Sequence, residues 1–330
     1  MATYNWLLLC VSFFCVSFLY IEAIQADESV VTAIQADETI VAAAPIPIPY
    51  QKMSFLRYLT GAGKTRLSMP TDVSVDNNAA YVVDGGNHRI LVFSLHDGKL
   101  IRSFGGPGNG HGKLNSPVGL SVKEGKVYVA DRENRLIQVF SIKGEFLHQF
   151  KVMSRGKAAR PIDIAVSANG LEYYVSGNRN SRLMVFNPAG KLLREWGEDG
   201  LNPGQFRFPG SVIVLPDKRI AVVDVLNTRV QVFERKGGFS VQVGEWGVLP
   251  GQLVRPKGVA IDTNNNFYIS DSYMDVIQVY DSNSRLKYVL QADNNSHKPI
   301  TPAGITVDQQ GRLYIAEVLK NRVAVFQLPK

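Results

Sequence analysis

A proline recurs six times in this chain at a nearly constant spacing, and a similar alternation of small, acidic and aliphatic residues follows each copy. Successive copies begin 44 to 48 residues apart, at Pro70, Pro117, Pro161, Pro209, Pro256 and Pro302. A period in the forties, with about four short strands per unit, is typical of a β-propeller. We therefore predict an all-β fold, a six-bladed β-propeller.

The first repeat shows how four strands fit into one unit. Alternation and polar turns predict strands at about 72–76, 80–83, 89–94 and 99–104. The sixth repeat reaches the end of the chain after its third strand, whereas SFLRYLTG (54–61) precedes the first repeat and resembles a fourth strand. We predict that this N-terminal strand completes the last blade and so removes two free sheet edges.

The residues before the repeats divide into two segments. An apolar run at 7–21 is shorter than a membrane-spanning helix needs, and small residues follow it, which predicts a cleaved signal peptide over 1–23. An acidic, proline-rich leader over 24–52 then precedes the propeller at 53–330. We expect a secreted or periplasmic protein with no membrane span after cleavage. No Lys or Arg precedes the apolar run, so an uncleaved N-terminal membrane anchor is the alternative.

Cysteine and charge restrict the chemistry further. Both cysteines, Cys10 and Cys15, lie in the predicted signal, so the mature protein would have neither disulfides nor thiol chemistry. The chain has 36 Lys and Arg against 29 Asp and Glu. Five of those acids but only one lysine precede residue 53, so the propeller is more basic than the chain as a whole. Such a surface attracts anionic partners.

The cations concentrate in the loops between blades, which should share one face with the loops that follow each second strand. The densest segment is 151–160, and Arg179 and Arg182 are expected to neighbour it. The predicted binding residues on this basic face are Lys113, Lys151, Arg155, Lys157, Arg160, Arg179, Arg207, Arg255 and Lys257. We expect a monomeric propeller that binds a protein, a peptide or another anionic polymer there. Nucleic acid is disfavoured, because these loops contain few aromatic residues to stack on bases.

The repeats resemble the NHL family in segments such as IAVVDVLNTRVQVF (220–233) and in loops such as PGQFRFP (203–209). The resemblance implies a propeller used as a protein or RNA platform, as a sensor domain or, in peptidyl-amidoglycolate lyases, as a zinc enzyme. It also implies that the lyase histidines would follow the repeat proline on the channel wall. The matching residues here are Thr71, Val118, Ile162, Gly210, Lys257 and Ala303, so the zinc histidines are missing.

Two carboxylates keep a metal-dependent alternative open. Asp72 and Asp163 each lie two residues after a repeat proline, where six-bladed lactonase-like enzymes would place calcium ligands. The primary prediction is a non-enzymatic platform without a cofactor. The alternative is a metal-dependent lyase or lactonase-like hydrolase that uses Ca or Zn at the channel. A further set of acids at the ends of the second strands is predicted to be structural: Asp84, Asp131, Asp224, Asp271 and Glu317.

Overall fold

Six four-stranded antiparallel units follow one another along the chain, as the repeats predict. The computed structural model describes residues 49–76 and 78–329. Blade 1 consists of β2 (Pro70–Asp76), β3 (Ala79–Asp84), β4 (Arg89–Ser94) and β5 (Leu100–Gly105). Blade 2 consists of β6 (Pro117–Lys123), β7 (Lys126–Asp131), β8 (Leu136–Ser141) and β9 (Phe146–Lys151). A short hairpin, β10 (Met153–Ser154) and β11 (Lys157–Ala158), leads into the third blade.

The remaining blades repeat the same order. Blade 3 consists of β12 (Asp163–Val166), β13 (Tyr173–Gly177), β14 (Arg182–Phe186) and β15 (Leu192–Trp196). Blade 4 consists of β16 (Pro209–Val214), β17 (Ile220–Asp224), β18 (Arg229–Phe233) and β19 (Phe239–Val243). Blade 5 consists of β20 (Pro256–Ile261), β21 (Phe267–Asp271), β22 (Val276–Tyr280) and β23 (Leu286–Ala292). Blade 6 contains β24 (Pro302–Val307), β25 (Arg312–Glu317) and β26 (Arg322–Gln327), with β1 (Tyr50–Leu59) as its outer strand.

The N-terminal strand closes the ring, as predicted. Residues 54–59 of β1 pair antiparallel with β26, in the register Ser54↔Gln327 to Leu59↔Val323. Residues 50–53 pair in parallel with β23 of blade 5, an interaction that the sequence did not predict. The strand therefore begins inside the predicted leader and joins two blades. The predicted signal peptide and nearly all of the leader lie outside the described residues.

Apolar side chains between neighbouring blades form the core. Within the described residues, six buried clusters each join one pair of adjacent blades. The cluster that joins blade 6 to blade 1 packs Tyr314, Val323 and Val325 against Val82 and Phe93. Because each sheet is covered on both sides by its neighbours, the middle strands are buried and mostly apolar on both faces.

Every blade closes the turn between its second and third strands in the same way. The residue just before the third strand has a left-handed backbone, with φ between 49° and 59° in His88, Arg135, Ser181, Thr228, Asp275 and Asn321. The turn therefore depends on a shared backbone geometry and not on one side chain. Its repetition places corresponding residues of all blades at the same height around the ring.

Candidate functional site

The loops between blades and the loops after each second strand lie on one face, which we call the loop face. Buried carboxylates at the ends of the second strands bind these two sets of loops together. Ser68 N–H donates to Asp84 at 2.6 Å, and Arg207 N–H donates to Asp224 at 2.7 Å. Ile300 N–H donates to Glu317 in the same manner at 2.7 Å. The opposite face, formed by the turns after the first and third strands, is called the turn face.

The ring of carboxylates has the structural role that the repeats predict. All five side chains are fully buried. Arg89 Nε lies 2.7 Å from Asp84, Arg229 Nε lies 3.0 Å from Asp224, and Arg322 pairs with Glu317. Blade 2 has leucine at the arginine position, and there Asn134 and Gln138 donate to Asp131 instead, both at 2.8 Å. Burial raises the pKa of Asp131 and of Asp224, while these donors act to lower it.

The central channel opens on the loop face as a cavity of about 360 Å³. Its wall includes the residue after each repeat proline: Thr71, Val118, Ile162, Gly210, Lys257 and Ala303. These are the six positions that the resemblance assigned to the channel wall. Asp72 and Asp163 line this cavity and also a second one of about 220 Å³ from the turn face. The two carboxylates therefore lie between the two ends of the channel.

Asp72 and Asp163 each connect one blade to the next. Asp72 accepts N–H bonds from Val73 and, in blade 2, from Leu120, both at 2.9 Å. Asp163 accepts from Ile164 at 2.8 Å and, in blade 4, from Val212 at 2.9 Å. All four carboxylate oxygens thus hold backbone amides, which gives both residues a structural function.

Glycine is required beside each of these carboxylates. A Cβ added to Gly304 would lie 2.1 Å from Asp72 Oδ1, and one added to Gly119 would lie 2.2 Å from Asp163 Oδ1. Backbone atoms of the same aspartates lie 2.7 Å from these positions, so rotation of the carboxylate would not remove the clash. Gly119 and Gly304 therefore make room for the acids of the neighbouring blades.

The channel residues do not fit the metal site of the alternative hypothesis. None of the six wall residues after the prolines is a histidine, which a zinc site of the lyase type would need. Within residues 49–76 and 78–329, no group of three or more His, Cys, Asp or Glu side chains is arranged to hold a metal ion. Asp72 and Asp163 supply two carboxylates whose oxygens already accept backbone hydrogen bonds. Calcium normally takes six to eight oxygen ligands.

Burial changes the acidity of both channel acids. It raises the pKa of Asp163 from 3.8 to about 7, against the opposing effect of its hydrogen bonds. Burial also raises the pKa of Asp72 well above its ordinary value, and the nearby charge of Asp163 raises it further. The folded protein therefore holds protons in the channel that the unfolded chain releases.

This proton uptake predicts that stability falls as pH rises. Between about pH 4 and pH 7 the unfolded Asp163 carboxyl is ionised while the folded one still holds its proton, so a rising pH favours unfolding. From pH 5 to pH 8 we expect the free energy of unfolding to drop by about 2–3 kcal/mol. Urea unfolding at several pH values measures the drop in the native protein and in Asp163→Asn. The variant should lose the part of the slope that Asp163 contributes and keep the part that comes from Asp72, whose pKa is also raised, and an equal slope in both proteins would refute the assignment.

The structure gathers the basic residues into two places on the loop face and leaves some outside both. Arg155, Lys157, Arg160 and Arg179 line a cavity of about 400 Å³ beside blade 3, which we call the blade 3 cavity. Arg255 and Lys257 line the channel cavity. Burial lowers the pKa of Lys257, and the neighbouring Arg255 lowers it further. Lys113, Lys151 and Arg207 are exposed and line neither cavity.

Arg182, which the sequence places only as a neighbour of segment 151–160, lines the blade 3 cavity, and two further arginines at these cavities are missing from the predicted binding residues. Arg135 lines the blade 3 cavity, and Arg132 lines the channel cavity. Both belong to the turn after β7, in the segment ADRENR (130–135), which reads as an ordinary strand and turn. Only their position in the repeat could have indicated these two arginines from the sequence, because the turn after β7 lies on the same face as the loops between blades. Arg132 and Arg160 both pair with Glu133, at 3.1 and 2.8 Å.

Among residues 49–76 and 78–329, we find no helix with the length and apolarity needed to cross a membrane.

Comparisons with known proteins support the architecture. The NHL repeat family matches residues 67–93 and 114–140. A family described as a 6-bladed beta-propeller matches residues 209–297. The chain contains NHL repeats in a six-bladed propeller.

The curated relatives match only a short part of this NHL propeller. A segment of 71 residues is 38% identical to peptidyl-glycine alpha-amidating monooxygenase A of Xenopus laevis, covering 20% of this chain and 8% of the frog protein. The mouse peptidyl-glycine alpha-amidating monooxygenase is 37% identical over 62 residues, which cover 17% of this chain and 6% of the mouse protein. The matched part thus spans less than a tenth of these relatives.

Solved structures share the fold over most of the chain. A streptogramin B lyase structure aligns with a TM-score of 0.61 at 12% identity, covering 83% of this chain and 97% of the lyase. A protein of unknown function from Bacteroides thetaiotaomicron aligns with a TM-score of 0.64 at 17% identity, covering 83% and 75% of the two chains. Virginiamycin B lyase from Staphylococcus aureus aligns with a TM-score of 0.58 at 13% identity, covering 83% and 99%. At these identities the likeness concerns the fold.

Proposed function

We propose that the NHL propeller is a binding platform that holds an acidic protein, peptide or anionic polymer on its loop face, without catalysing a reaction. The observation that carries this proposal is the group of six cations around the blade 3 cavity: Arg135, Arg155, Lys157, Arg160, Arg179 and Arg182. Among them, within the described residues, only Arg160 forms an ion pair. Unneutralised cations on one face raise the local concentration of an anionic partner and speed its association.

The rest of the loop face supports the same assignment. Arg255 and Lys257 extend the positive charge to the channel cavity. Arg255 lies against the exposed ring of Tyr273, with its guanidinium carbon 5.9 Å from the ring centroid. An exposed aromatic beside a cation is a common composition for a protein-binding surface. Our proposal includes export of the protein by the predicted signal peptide and a monomeric propeller without a cofactor.

A second candidate is a lyase or hydrolase that acts in the channel. One observation favours it, namely that Asp163 lines the 360 Å³ cavity with a pKa raised by burial to about 7, which suits proton transfer near neutral pH. The metal-dependent form of this candidate is tested by mass spectrometry of the dialysed protein. About one tightly held zinc or calcium ion per chain would support that form and contradict the donor set described above.

The platform proposal is tested by heparin, a polyanion, with two matched triple variants. The first replaces Arg155, Lys157 and Arg179 by glutamine, three exposed cations of the blade 3 cavity. The second replaces the exposed lysines Lys143, Lys191 and Lys236, which lie in turns of the turn face. Three exposed ionic contacts contribute about 1.5–3 kcal/mol together, so the first variant should bind heparin about 10 to 100 times more weakly.

The second variant removes the same charge and should stay within about threefold of the native protein. Isothermal titration at low and moderate salt measures both affinities. Equal losses in the two variants would mean that net charge alone attracts the polyanion, and the loop face would then have no special role.

A further inference from the structure

Blade 3 departs from the other blades at one position of the carboxylate ring. Gly177 ends its second strand, where the other five blades have Asp or Glu, yet Arg182 is kept at the start of the third strand. Asn180 is kept as well, at the place of Asn87 in blade 1 and Asn227 in blade 4. Blade 3 therefore lacks the acid but has both of the side chains that donate to this acid in other blades.

Blade 4 shows what these donors do when the acid is present. Asp224 accepts from Arg229 Nε at 3.0 Å and from Asn227 at 2.8 Å. Arg229 also donates to the loop carbonyls of Asn202 and Gln205, at 3.0 and 3.1 Å. A buried guanidinium in this position is therefore fully satisfied by protein groups.

Arg182 has no such partners. Arg182 is about as buried as Arg229, with 7% and 6% of the two residues exposed. Within the described residues it forms no side-chain hydrogen bond or ion pair, and it lines the blade 3 cavity. Asn180 lines the same cavity, and its amide nitrogen donates only to the sulfur of Met184, at 3.6 Å. Because Arg182 lines the cavity without a protein partner, its guanidinium can donate to an anion there.

Further cationic side chains are held at the wall of the cavity by hydrogen bonds. The hairpin β10–β11 carries Arg155 and Lys157, and Glu195 holds this hairpin in place. Ser154 Oγ donates to Glu195 at 2.6 Å, and Arg155 N–H donates to it at 3.1 Å. Two carboxylates thus contact the wall: Glu195 binds the hairpin, and Glu133 pairs with Arg160. Six cationic side chains line the cavity, so positive charge is in excess there.

We propose that the blade 3 cavity binds a phosphoryl group, with Arg182 at its base and Arg155 and Arg179 at its rim. A phosphoryl group has three terminal oxygens and close to two negative charges, so it can accept from several guanidinium groups at once, whereas one carboxylate saturates a single arginine fork. The cavity of about 400 Å³ has room for such a group together with part of the molecule that carries it. This inference rests on the proposed function, because it names the chemistry that the platform recognises.

The test uses inorganic pyrophosphate as the probe and isothermal titration as the measurement. Arg182→Gln should weaken binding by about tenfold or more, the cost of one charge-assisted contact. Arg66→Gln removes an exposed arginine from another inter-blade loop of the same face and should change the affinity less than about twofold. Arg155→Gln alters an exposed side chain and reports on the cavity even if the buried variant folds poorly.

A second pair of variants restores the missing acid. Gly177→Asp should abolish pyrophosphate binding, because Arg182 and Asn180 would regain the internal acceptor that blade 4 has. The new side chain would meet Asn180 Oδ1 at 2.4 Å and the methyl group of Met184 at 2.9 Å, both movable side-chain ends. Gly177→Ala introduces the same crowding without the charge, so it should retain the affinity.

The outcomes separate this proposal from the one it rests on. Equal affinity in Arg182→Gln and Arg66→Gln, or citrate binding as tightly as pyrophosphate, would overturn the phosphoryl site. If heparin binds to the loop face while pyrophosphate does not bind, the platform stands and the phosphoryl site is rejected. If pyrophosphate binding depends on Arg182 while both heparin variants behave alike, the site stands and the platform fails. Inorganic polyphosphate binding much more tightly than pyrophosphate would identify a polymer as the source of the group.

Discussion

A protein that begins after Leu59 should not form a soluble, cooperatively folded monomer. The deletion removes β1, which pairs with β26 on one side and with β23 on the other, and so exposes two strand edges. It also removes the buried side chains of Met53 and Leu59. Loss of two such side chains lowers the free energy of unfolding by about 4–10 kcal/mol, which is comparable to the whole stability of a typical domain.

Size-exclusion chromatography and thermal unfolding by circular dichroism measure this effect. The control begins at Pro49, just ahead of the first strand, so it keeps both pairings of β1. It should elute as a monomer and unfold cooperatively like the full-length chain. A soluble, cooperative protein lacking 50–59 would show that the ring does not need its N-terminal strand.

Replacing Asp224 by alanine should destabilise the protein by about 3–5 kcal/mol, the usual cost of leaving a buried charge without its partner. The carboxylate is fully buried and accepts hydrogen bonds from Arg207 N–H, Asn227, Arg229 and Gln231. Its loss would leave the Arg229 guanidinium with carbonyl partners only and release the loop before blade 4. Urea unfolding measures the change in free energy.

The matched control is Asp217→Ala in the same blade. Asp217 pairs with Arg219 at 2.8 Å, but half of its side chain is exposed. An exposed ion pair contributes about 0–1 kcal/mol, so this variant should remain close to the native protein. If Asp224→Ala were equally mild, the carboxylate ring could not be a structural device, and a role in ligand binding would have to be considered for it.

The sequence predicts the regular part of this fold closely. Six copies show the same pattern, so a strand that is ambiguous in one copy can be recognised from the others. In blade 1 the predicted strand at 80–83 is observed at Ala79–Asp84, and the strand at 89–94 is observed at Arg89–Ser94. The parallel pairing of residues 50–53 with blade 5 could not be predicted in the same way. Alternation identifies a strand and its faces, while the partner of an outer strand depends on where two blades meet in space.

The candidate site was harder to predict than the fold. Loop composition identified the cations at 151–160, but the contribution of Arg135 depends on how the turn after β7 faces that loop. Gly177 stands in the sequence where the other five repeats have an acid, yet what this means for Arg182 follows only from the burial and hydrogen bonds of the structure. Asp72 and Asp163 were considered as metal ligands, because a sequence cannot show that all four of their oxygens hold backbone amides.

The most direct test of the account is to locate the bound polyanion by hydrogen exchange. Amide exchange is compared with and without heparin across the whole propeller. Binding at the loop face predicts slower exchange at 153–160 and 178–181, around the blade 3 cavity, and unchanged exchange in the turns at 188–191 and 235–238. Protection confined to those turns, or spread evenly over both faces, would contradict the assignment of the loop face as the binding surface.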